Sequence, residues 1–130
     1  MKKILIIEDN KEVALLYQKL LNINGYDTTV AFDGLEGLDR LKEMTPDLIL
    51  LDVSMPRLSG VGFYQEVLDA AGYPKYPILV ITGRIDLEIT FKHFPVAGVL
   101  LKPVDRNNLL NQINDILEHS KEYLLNNSAN

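Results

Sequence analysis

Short runs of consecutive apolar residues recur along the chain, each followed by a segment in which apolar residues repeat every three or four positions. Runs that are apolar throughout indicate strands buried on both faces of a parallel sheet, and the three-and-four spacing is typical of helices. The predicted strands cover residues 4–7, 28–32, 48–51, 77–81 and 97–101. Because parallel strands need right-handed helical crossovers, five strands alternating with five helices predict a doubly wound parallel α/β sheet.

The first two helices carry specific expectations about their ends and their buried faces. Gly25 predicts the C-terminal cap of the first helix. Asp33 and Glu36 predict a capping box that opens the second helix. The residues expected to be buried are Val13, Leu16, Tyr17, Leu20 and Ile23 in the first helix and Leu35, Leu38 and Leu41 in the second.

The remaining helices are less uniform in their patterns. A third helix is expected around Phe63 and Val67, and Asp105 is expected to cap a last helix with an apolar stripe. The fourth helix is predicted at residues 86–94, but its apolar residues alternate, which predicts a short or irregular helix. Residues 1–120 are predicted to form one domain, followed by a helical extension and a frayed polar tail at residues 121–130.

Length, composition and charge narrow the class of protein. The chain has 130 residues, 47% of them apolar and 24% charged, which is typical of one globular domain. It has no cysteine and two distant histidines, so neither a disulfide framework nor a structural zinc site is expected. The net charge of −5 argues against nucleic-acid binding, and no stretch approaches the roughly 20 apolar residues of a membrane span. We therefore expect a cytoplasmic protein.

Polar residues of chemical interest follow the carboxyl ends of four predicted strands. Glu8 and Asp9 follow the first strand, Asp52 the third, Thr82 the fourth and Lys102 the fifth. Taken singly, the acidic pair suits a helix N-terminus, and a threonine or lysine at a strand end is ordinarily a surface residue. Because the carboxyl ends of parallel strands meet at one edge, where ligands bind, we expect all five side chains to converge on one crevice.

The residue types at this edge point to phosphoryl transfer. Three crowded carboxylates repel each other unless a cation compensates them, and oxygen ligands without histidine or cysteine favour Mg²⁺. A carboxylate such as Asp52 can attack phosphorus to form an aspartyl phosphate. Lys102 would offset charge on the phosphoryl oxygens, and the Thr82 hydroxyl would donate a hydrogen bond to one of them. The sequence therefore predicts a Mg²⁺-dependent phosphoacceptor site at Asp52.

Four short motifs in order make the chain resemble the receiver domains of two-component response regulators, from Lys3 to about His119. They are Ile7-Glu8-Asp9-Asn10, Leu51-Asp52-Val53-Ser54-Met55-Pro56 with Gly60 beyond, Ile81-Thr82-Gly83, and Leu101-Lys102-Pro103. The resemblance implies a flavodoxin-like fold, with a five-stranded doubly wound parallel sheet in the order 2-1-3-4-5 and five helices. It also implies a cis peptide bond before Pro103, and an output face on the fourth helix, fifth strand and fifth helix.

The same resemblance implies roles for the site residues. Asp52 would be phosphorylated by a histidine kinase or a phosphotransfer protein, with Thr82 and Lys102 assisting. Ser54 and Arg84 would occupy the variable positions that tune loss of the phosphoryl group by hydrolysis. The implied ligands of Mg²⁺, some of them acting through water, are Glu8, Asp9, Asp52 and the backbone carbonyl of Ser54.

The output is left open by the sequence. Val99 stands where many receivers carry the Tyr or Phe that changes rotamer on phosphorylation, so the usual aromatic switch is not available. The expected partners are the phosphodonor and either a downstream target or an output domain outside this chain, with no nucleic acid and no membrane, in a monomer or weak dimer. The protein is expected to catalyse only its own phosphorylation and dephosphorylation, not to act as a conventional enzyme. The alternative is a receiver-like interaction module that is never phosphorylated.

Overall fold

The computed structural model describes residues 1–54 and 60–128, with side chains described as far as residue 119. Five strands alternate with five helices over these residues. The strands are β1 (Lys3–Ile7), β2 (Asp27–Ala31), β3 (Leu48–Asp52), β4 (Ile78–Thr82) and β5 (Gly98–Leu101). The helices are α1 (Lys11–Ile23), α2 (Gly34–Leu41), α3 (Gly60–Glu66), α4 (Ile85–Lys92) and α5 (Arg106–Ser128).

All five strands are parallel and lie in the order β2-β1-β3-β4-β5, which confirms the predicted doubly wound sheet and its strand order. The predicted strand bounds are wrong by one residue at several ends, because Phe32 and Pro77 lie just outside β2 and β4. Every residue of β3 and β4 is buried, as expected of strands covered on both faces. Because all five strands are parallel, their carboxyl ends lie at one edge, and the strand order reverses direction between β1 and β3.

The core has two halves, one on each face of the sheet. On one face, α2, α3 and α4 cover the sheet, with Phe63 and Phe91 fully buried. On the other face, α1 and α5 cover it, through Leu21 of α1 and Ile113 of α5 among others. Several caps form as predicted. The Asp105 carboxylate accepts from the amide of Asn108, and Gly25 follows the end of α1 with a φ of +90°.

The predicted buried face of α1 is partly wrong. Leu16 and Ile23 are 65% and 73% exposed, whereas Ala14 and Leu21 are fully buried. Ala14 is buried on the same side of α1 as Leu21, and Leu21, Tyr17 and Leu20 are the α1 residues that pack into the core on this face. Leu16 and Ile23 instead border an apolar groove of about 420 Å³ between α1 and α5, next to Val104.

The predicted buried face of α2 also needs one correction, because Leu35 is 58% exposed. Gly37 lies so close to the sheet that a Cβ there would stand 2.7 Å from Cδ1 of Ile7 and 2.9 Å from a ring carbon of Phe63. The helix therefore presents its glycine side to the core and turns Leu35 to solvent. The amide of Glu36 donates to Asp33 Oδ1 at 2.8 Å, which confirms Asp33 as the cap of α2.

The fourth helix is short, as the alternating pattern predicted. It has eight residues, begins one residue earlier and ends two residues earlier than predicted, and of its own side chains buries Phe91. No helix in the described part of the chain is long and apolar enough to cross a membrane. A cytoplasmic location and a frayed tail stay predictions, and Met55 and Pro56 of the second motif lie outside the described residues.

Candidate functional site

The sheet brings the predicted side chains to one edge. Asp52 and Thr82 are the last residues of β3 and β4, while Glu8 and Lys102 follow β1 and β5 directly. The register pairs Asp52 with Ile81 and Thr82 with Leu101, so these strands end at the same level. The predicted convergence is thus built by strand order and register.

Lys102 links two buried carboxylates at this edge. Its Nζ lies 3.0 Å from Asp52 Oδ2 and 3.1 Å from Glu8 Oε1. Glu8 and Asp52 are only 1% and 4% exposed, so both negative charges are largely withdrawn from water. Burial works to lower the pKa of Lys102, but the hydrogen bonds and charges of Asp52 and Glu8 outweigh it and raise that pKa. Lys102 is therefore held as a cation between the two acids.

Asp52 is held at both of its oxygens. While Lys102 donates to Oδ2, Oδ1 accepts hydrogen bonds from the Ser54 amide at 2.8 Å and from the Ser54 hydroxyl at 2.6 Å. Burial works to raise the pKa of Asp52, but hydrogen bonds from the Ser54 hydroxyl and amide, and then those with Glu8 and Lys102, bring it below the usual value. Asp52 therefore stays an ionised carboxylate of fixed orientation, which is the state a nucleophile needs.

Of the two buried acids, Glu8 is the one that binds a proton more readily. Burial, together with the hydrogen bond and the charge of Asp52, raises the pKa of Glu8 to about 7. Its Oε2 accepts a hydrogen bond from the Asn10 amide at 3.1 Å, which works in the opposite direction. The site therefore holds one carboxylate that is firmly ionised and one that takes up a proton near neutral pH.

Three carboxylates at the edge are suited to a cation. One oxygen each from Glu8, Asp9 and Asp52 lie within 4.8 Å of one another, with Asp9 exposed and the other two buried. The donors are all carboxylate oxygens, a set that suits Mg²⁺, and the charge of Asp52 adds to burial in raising the pKa of Glu8. The residues present thus fit the predicted Mg²⁺ site. The Ser54 carbonyl as a further ligand stays a prediction.

Thr82 is fully buried, and its hydroxyl accepts a hydrogen bond from the amide of Arg84 at 3.0 Å. The Lys102 amide donates to the Thr82 carbonyl at 2.8 Å, which ties the ends of β4 and β5 together. The peptide bond between Lys102 and Pro103 is cis, as predicted. Thr82 and Lys102 are thus joined by a backbone hydrogen bond, and both lie at the same edge of the sheet.

Two contributors to the site were not given a role by the sequence analysis. A Cβ on Gly60 would stand 2.4 Å from Cα of Val53 and 2.5 Å from the carbonyl oxygen of Asp52, so α3 begins directly against the backbone of Asp52. Tyr17 lies near enough to be affected by the charges of Lys102, Glu8 and Asp52, although burial is the main reason that its pKa is raised. The glycine in the second motif was the signal for Gly60, whereas no pattern distinguished Tyr17 from an ordinary core residue.

The chain matches known proteins over nearly its whole length. A family model described as "Response regulator receiver domain" matches residues 4–114. The chain is 26% identical to the chemotaxis protein CheY of Treponema pallidum over 89% of this chain and 83% of that protein. It is 31% identical to the response regulator MprA of Mycobacterium avium, over 92% of this chain and 52% of MprA. A hybrid signal transduction histidine kinase D of Dictyostelium discoideum is also 31% identical, but the match covers 91% of this chain and only 8% of the kinase.

Solved structures give the same result. The chemotaxis protein CheY4 of Vibrio cholerae superposes with a TM-score of 0.78 at 28% identity, covering 89% of this chain and 98% of that one. A receiver domain protein from Clostridium thermocellum superposes with a TM-score of 0.79 at 28% identity, covering 93% and 98%. The family match, the relatives and the observed strand order agree, and the chain belongs to the response regulator receiver domains of two-component signalling.

Proposed function

We propose that Asp52 accepts a phosphoryl group from a phosphohistidine on a histidine kinase or a phosphotransfer protein, and that Mg²⁺ is required. The observation that carries this proposal is the state of Asp52 itself. It is a carboxylate 4% exposed, kept ionised by Ser54 and Lys102, and it lies at the edge of the sheet beside two further acids. Keeping a buried carboxylate charged is energetically costly, so an ionised Asp52 at this position supports its role as a nucleophile.

The proposed transfer moves a phosphoryl group from a histidine nitrogen of the donor to a carboxylate oxygen of Asp52. An Asp52 carboxylate oxygen attacks the phosphorus of the phosphohistidine, forming a P–O bond as the P–N bond breaks. The imidazole leaves with the electron pair of that bond and takes up a proton. In the later hydrolysis, water attacks the same phosphorus, releases inorganic phosphate and regenerates the carboxylate. The protein thus promotes only its own phosphorylation and dephosphorylation, which is not conventional enzymatic turnover.

Positive charge and hydrogen-bond donors are what such a transfer needs from the protein. Lys102 already points its ammonium group at Asp52, so it would meet a phosphoryl oxygen as soon as Asp52 is modified. The Thr82 hydroxyl accepts from the Arg84 amide and keeps its own proton to donate to the phosphoryl group. Both groups would stabilise the negative charge of the phosphoryl group as it moves onto Asp52.

Mg²⁺ would be held by Glu8, Asp9 and Asp52, together with the Ser54 carbonyl, and when bound it would offset charge on the transferring phosphoryl oxygens. Glu8 has to lose its proton before it can serve as a ligand. Because its pKa is raised to about 7, metal affinity should rise as the pH passes through neutrality.

The downstream effect of phosphorylation would be a change in protein docking. The matched relatives include proteins much longer than this chain, so the output could lie in a separate target protein or in another domain of a longer chain. Because the chain carries a net charge of −5, we propose a protein partner and not a nucleic acid.

The direct test is labelling with a small phosphodonor such as acetyl phosphate in the presence of Mg²⁺, read by intact mass. Wild-type protein should gain one phosphoryl group, and Asp52→Asn should gain none. Asp39→Asn is the matched control, since Asp39 is an exposed carboxylate on α2 that pairs with Lys42. Equal labelling of wild type and Asp52→Asn would overturn the assignment. No labelling of the wild type, even with a histidine kinase as donor, would favour the receiver-like interaction module.

A further inference from the structure

Arg84 lies beside the proposed phosphorylation site but is engaged elsewhere. Its guanidinium forms a two-pronged contact with Asp86, with Nε 3.1 Å from Oδ1 and Nη2 2.7 Å from Oδ2. The two side chains are 62% and 63% exposed, so water and salt screen the pair and it is easily exchanged. Arg84 is thus a cation held in place by a weak, replaceable partner.

The backbone of Arg84 belongs to the site. Its amide donates to the Thr82 hydroxyl at 3.0 Å, and the intervening Gly83 has its Cβ position 4.0 Å from Cδ of Lys102. Lys102 in turn contacts Asp52 at 3.0 Å. The turn that carries Arg84 therefore packs along the lysine that contacts the phosphoacceptor.

We propose that Arg84 exchanges the Asp86 carboxylate for an oxygen of the phosphoryl group on Asp52, and that Asp86 is the positioning residue that holds it away beforehand. This inference rests on the proposed function. A phosphoryl group carries about 1.5 to 2 negative charges and offers several acceptors to the guanidinium fork, whereas Asp86 carries one charge and is exposed. The phosphoryl group is therefore the stronger partner.

The exchange would reach α4 directly, because Arg84 is the N-cap residue of that helix and Asp86 lies in its first turn. Within the helix, Phe91 is fully buried against Tyr64 and Phe94, while Ile85 and Ile89 are 63% and 54% exposed. Moving the Arg84 side chain would change the charge balance at the first turn of α4, where Ile85 is mostly exposed to solvent. In this chain, where residue 99 is a valine, α4 would thus receive the signal from the arginine.

Beryllofluoride with Mg²⁺ is the probe, since it mimics a phosphoryl group on a carboxylate, and its affinity is measured by calorimetry. Asp86→Asn frees Arg84 and should tighten binding by no more than about fivefold, because an exposed ion pair contributes at most about 1 kcal/mol. Arg84→Gln should weaken binding by a similar factor. The double variant should match Arg84→Gln, because Asp86 matters only when the arginine is present.

Matched controls lie on the same helix. Glu88→Gln removes one negative charge from the first turn of α4, as Asp86→Asn does, and Lys92→Gln removes one positive charge, but these two residues pair with each other at 3.6 Å. Both controls should bind beryllofluoride as the wild type does. Amide chemical shifts of α4 give a second measurement, and the bound-state change at residues 84–88 should be lost in Arg84→Gln.

The outcomes separate the two proposals. If the wild type does not bind beryllofluoride, or if Asp52→Asn binds it equally well, the proposed function fails. If the wild type binds it but Asp86→Asn and Arg84→Gln behave like their charge controls, the exchange is refuted and the phosphoacceptor role stands. Additive effects in the double variant would likewise refute the exchange, because two independent charges would then explain the data.

Discussion

The Lys102 ammonium group lies 3.1 Å from Glu8 Oε1, although Glu8 follows β1 and Lys102 follows β5, on opposite sides of β3 and β4. The contact passes over the end of β3, where Asp52 shares the same cation. One lysine therefore neutralises part of the charge of two buried acids and links the end of β5 to the ends of β1 and β3. The stability of the domain and the chemistry of Asp52 are coupled through this side chain.

Replacing Lys102 by Met should destabilise the domain in metal-free buffer. The methionine keeps the apolar stem but leaves Glu8 and Asp52 buried without a cation, which should lower the free energy of unfolding by about 1–3 kcal/mol. The loss of stability should be smaller near pH 6 than near pH 8. Near pH 6 Glu8 is largely protonated, so one fewer buried negative charge is left without a cation. Urea unfolding at the two pH values measures it. Lys92→Met is the control, since its exposed pair with Glu88 should contribute less than about 1 kcal/mol. Equal losses in both variants would contradict the role given to Lys102.

The raised pKa of Glu8 predicts how stability depends on pH. The folded-state pKa of about 7 exceeds the ordinary value of 4.5, so between these values the folded protein binds more protons than the unfolded chain. The contribution of Glu8 is therefore fully present below about 4.5 and is lost as the pH rises through about 7. The lowered pKa of Asp52 has the opposite effect, but in a window below its ordinary value of 3.8.

Urea unfolding in a chelator measures this dependence. The unfolding free energy of the wild type, minus that of Glu8→Gln, should decrease by about 1–2 kcal/mol from about pH 5 to about pH 8. The wild type loses this stability because Glu8 gives up its proton. Because glutamine does not ionise, the variant should lack this part of the slope. Parallel stability profiles for the two proteins would show that Glu8 does not titrate in this range.

Much of the fold and site followed from the sequence for a physical reason. The central strands β3 and β4 are buried on both faces, so nearly every position is apolar, and the polar residues that remain fall at the strand ends. Asp52 and Thr82 stand out against such strands. Parallel topology then places these ends at one edge without further information.

The orientation of the helices did not follow in the same way. Leu16, Ile23 and Leu35 fit an apolar stripe, yet they are exposed. In α2, the face that meets the core is decided by Gly37, which permits a close approach, and in α1 the buried side includes the small Ala14. A count of apolar spacings gives both residues little weight. The pairing of Arg84 with Asp86 depends on the shape of one turn. The spacing of apolar residues along the sequence does not predict such a turn.

Mg²⁺ should stabilise the folded protein through the three edge carboxylates. Asp9 is the exposed member, so Asp9→Asn should change metal-free stability little while weakening Mg²⁺ binding about tenfold or more. The shift of the melting temperature with Mg²⁺ concentration, and direct calorimetric titration, both report it. Asp39→Asn should respond to Mg²⁺ as the wild type does. An unchanged Mg²⁺ response in Asp9→Asn would exclude Asp9 as a ligand.

Gly60 should be intolerant of any side chain because α3 begins against the backbone of β3. A Cβ there would stand 2.5 Å from the Asp52 carbonyl oxygen and 2.4 Å from Cα of Val53, and backbone atoms at such distances have to move. Gly60→Ala should therefore cost about 1–3 kcal/mol of stability by overpacking, although alanine is the better helix former.

The comparison for Gly60→Ala is Gly83→Ala, whose Cβ would meet only Cδ of Lys102 at an ordinary 4.0 Å. Urea unfolding should show a loss for Gly60→Ala and a change within about 0.5 kcal/mol for Gly83→Ala. The same displacement of backbone should disturb Asp52, so Gly60→Ala should also label more slowly with acetyl phosphate. A stable Gly60→Ala protein that labels at the wild-type rate would show that α3 need not begin so close to Asp52.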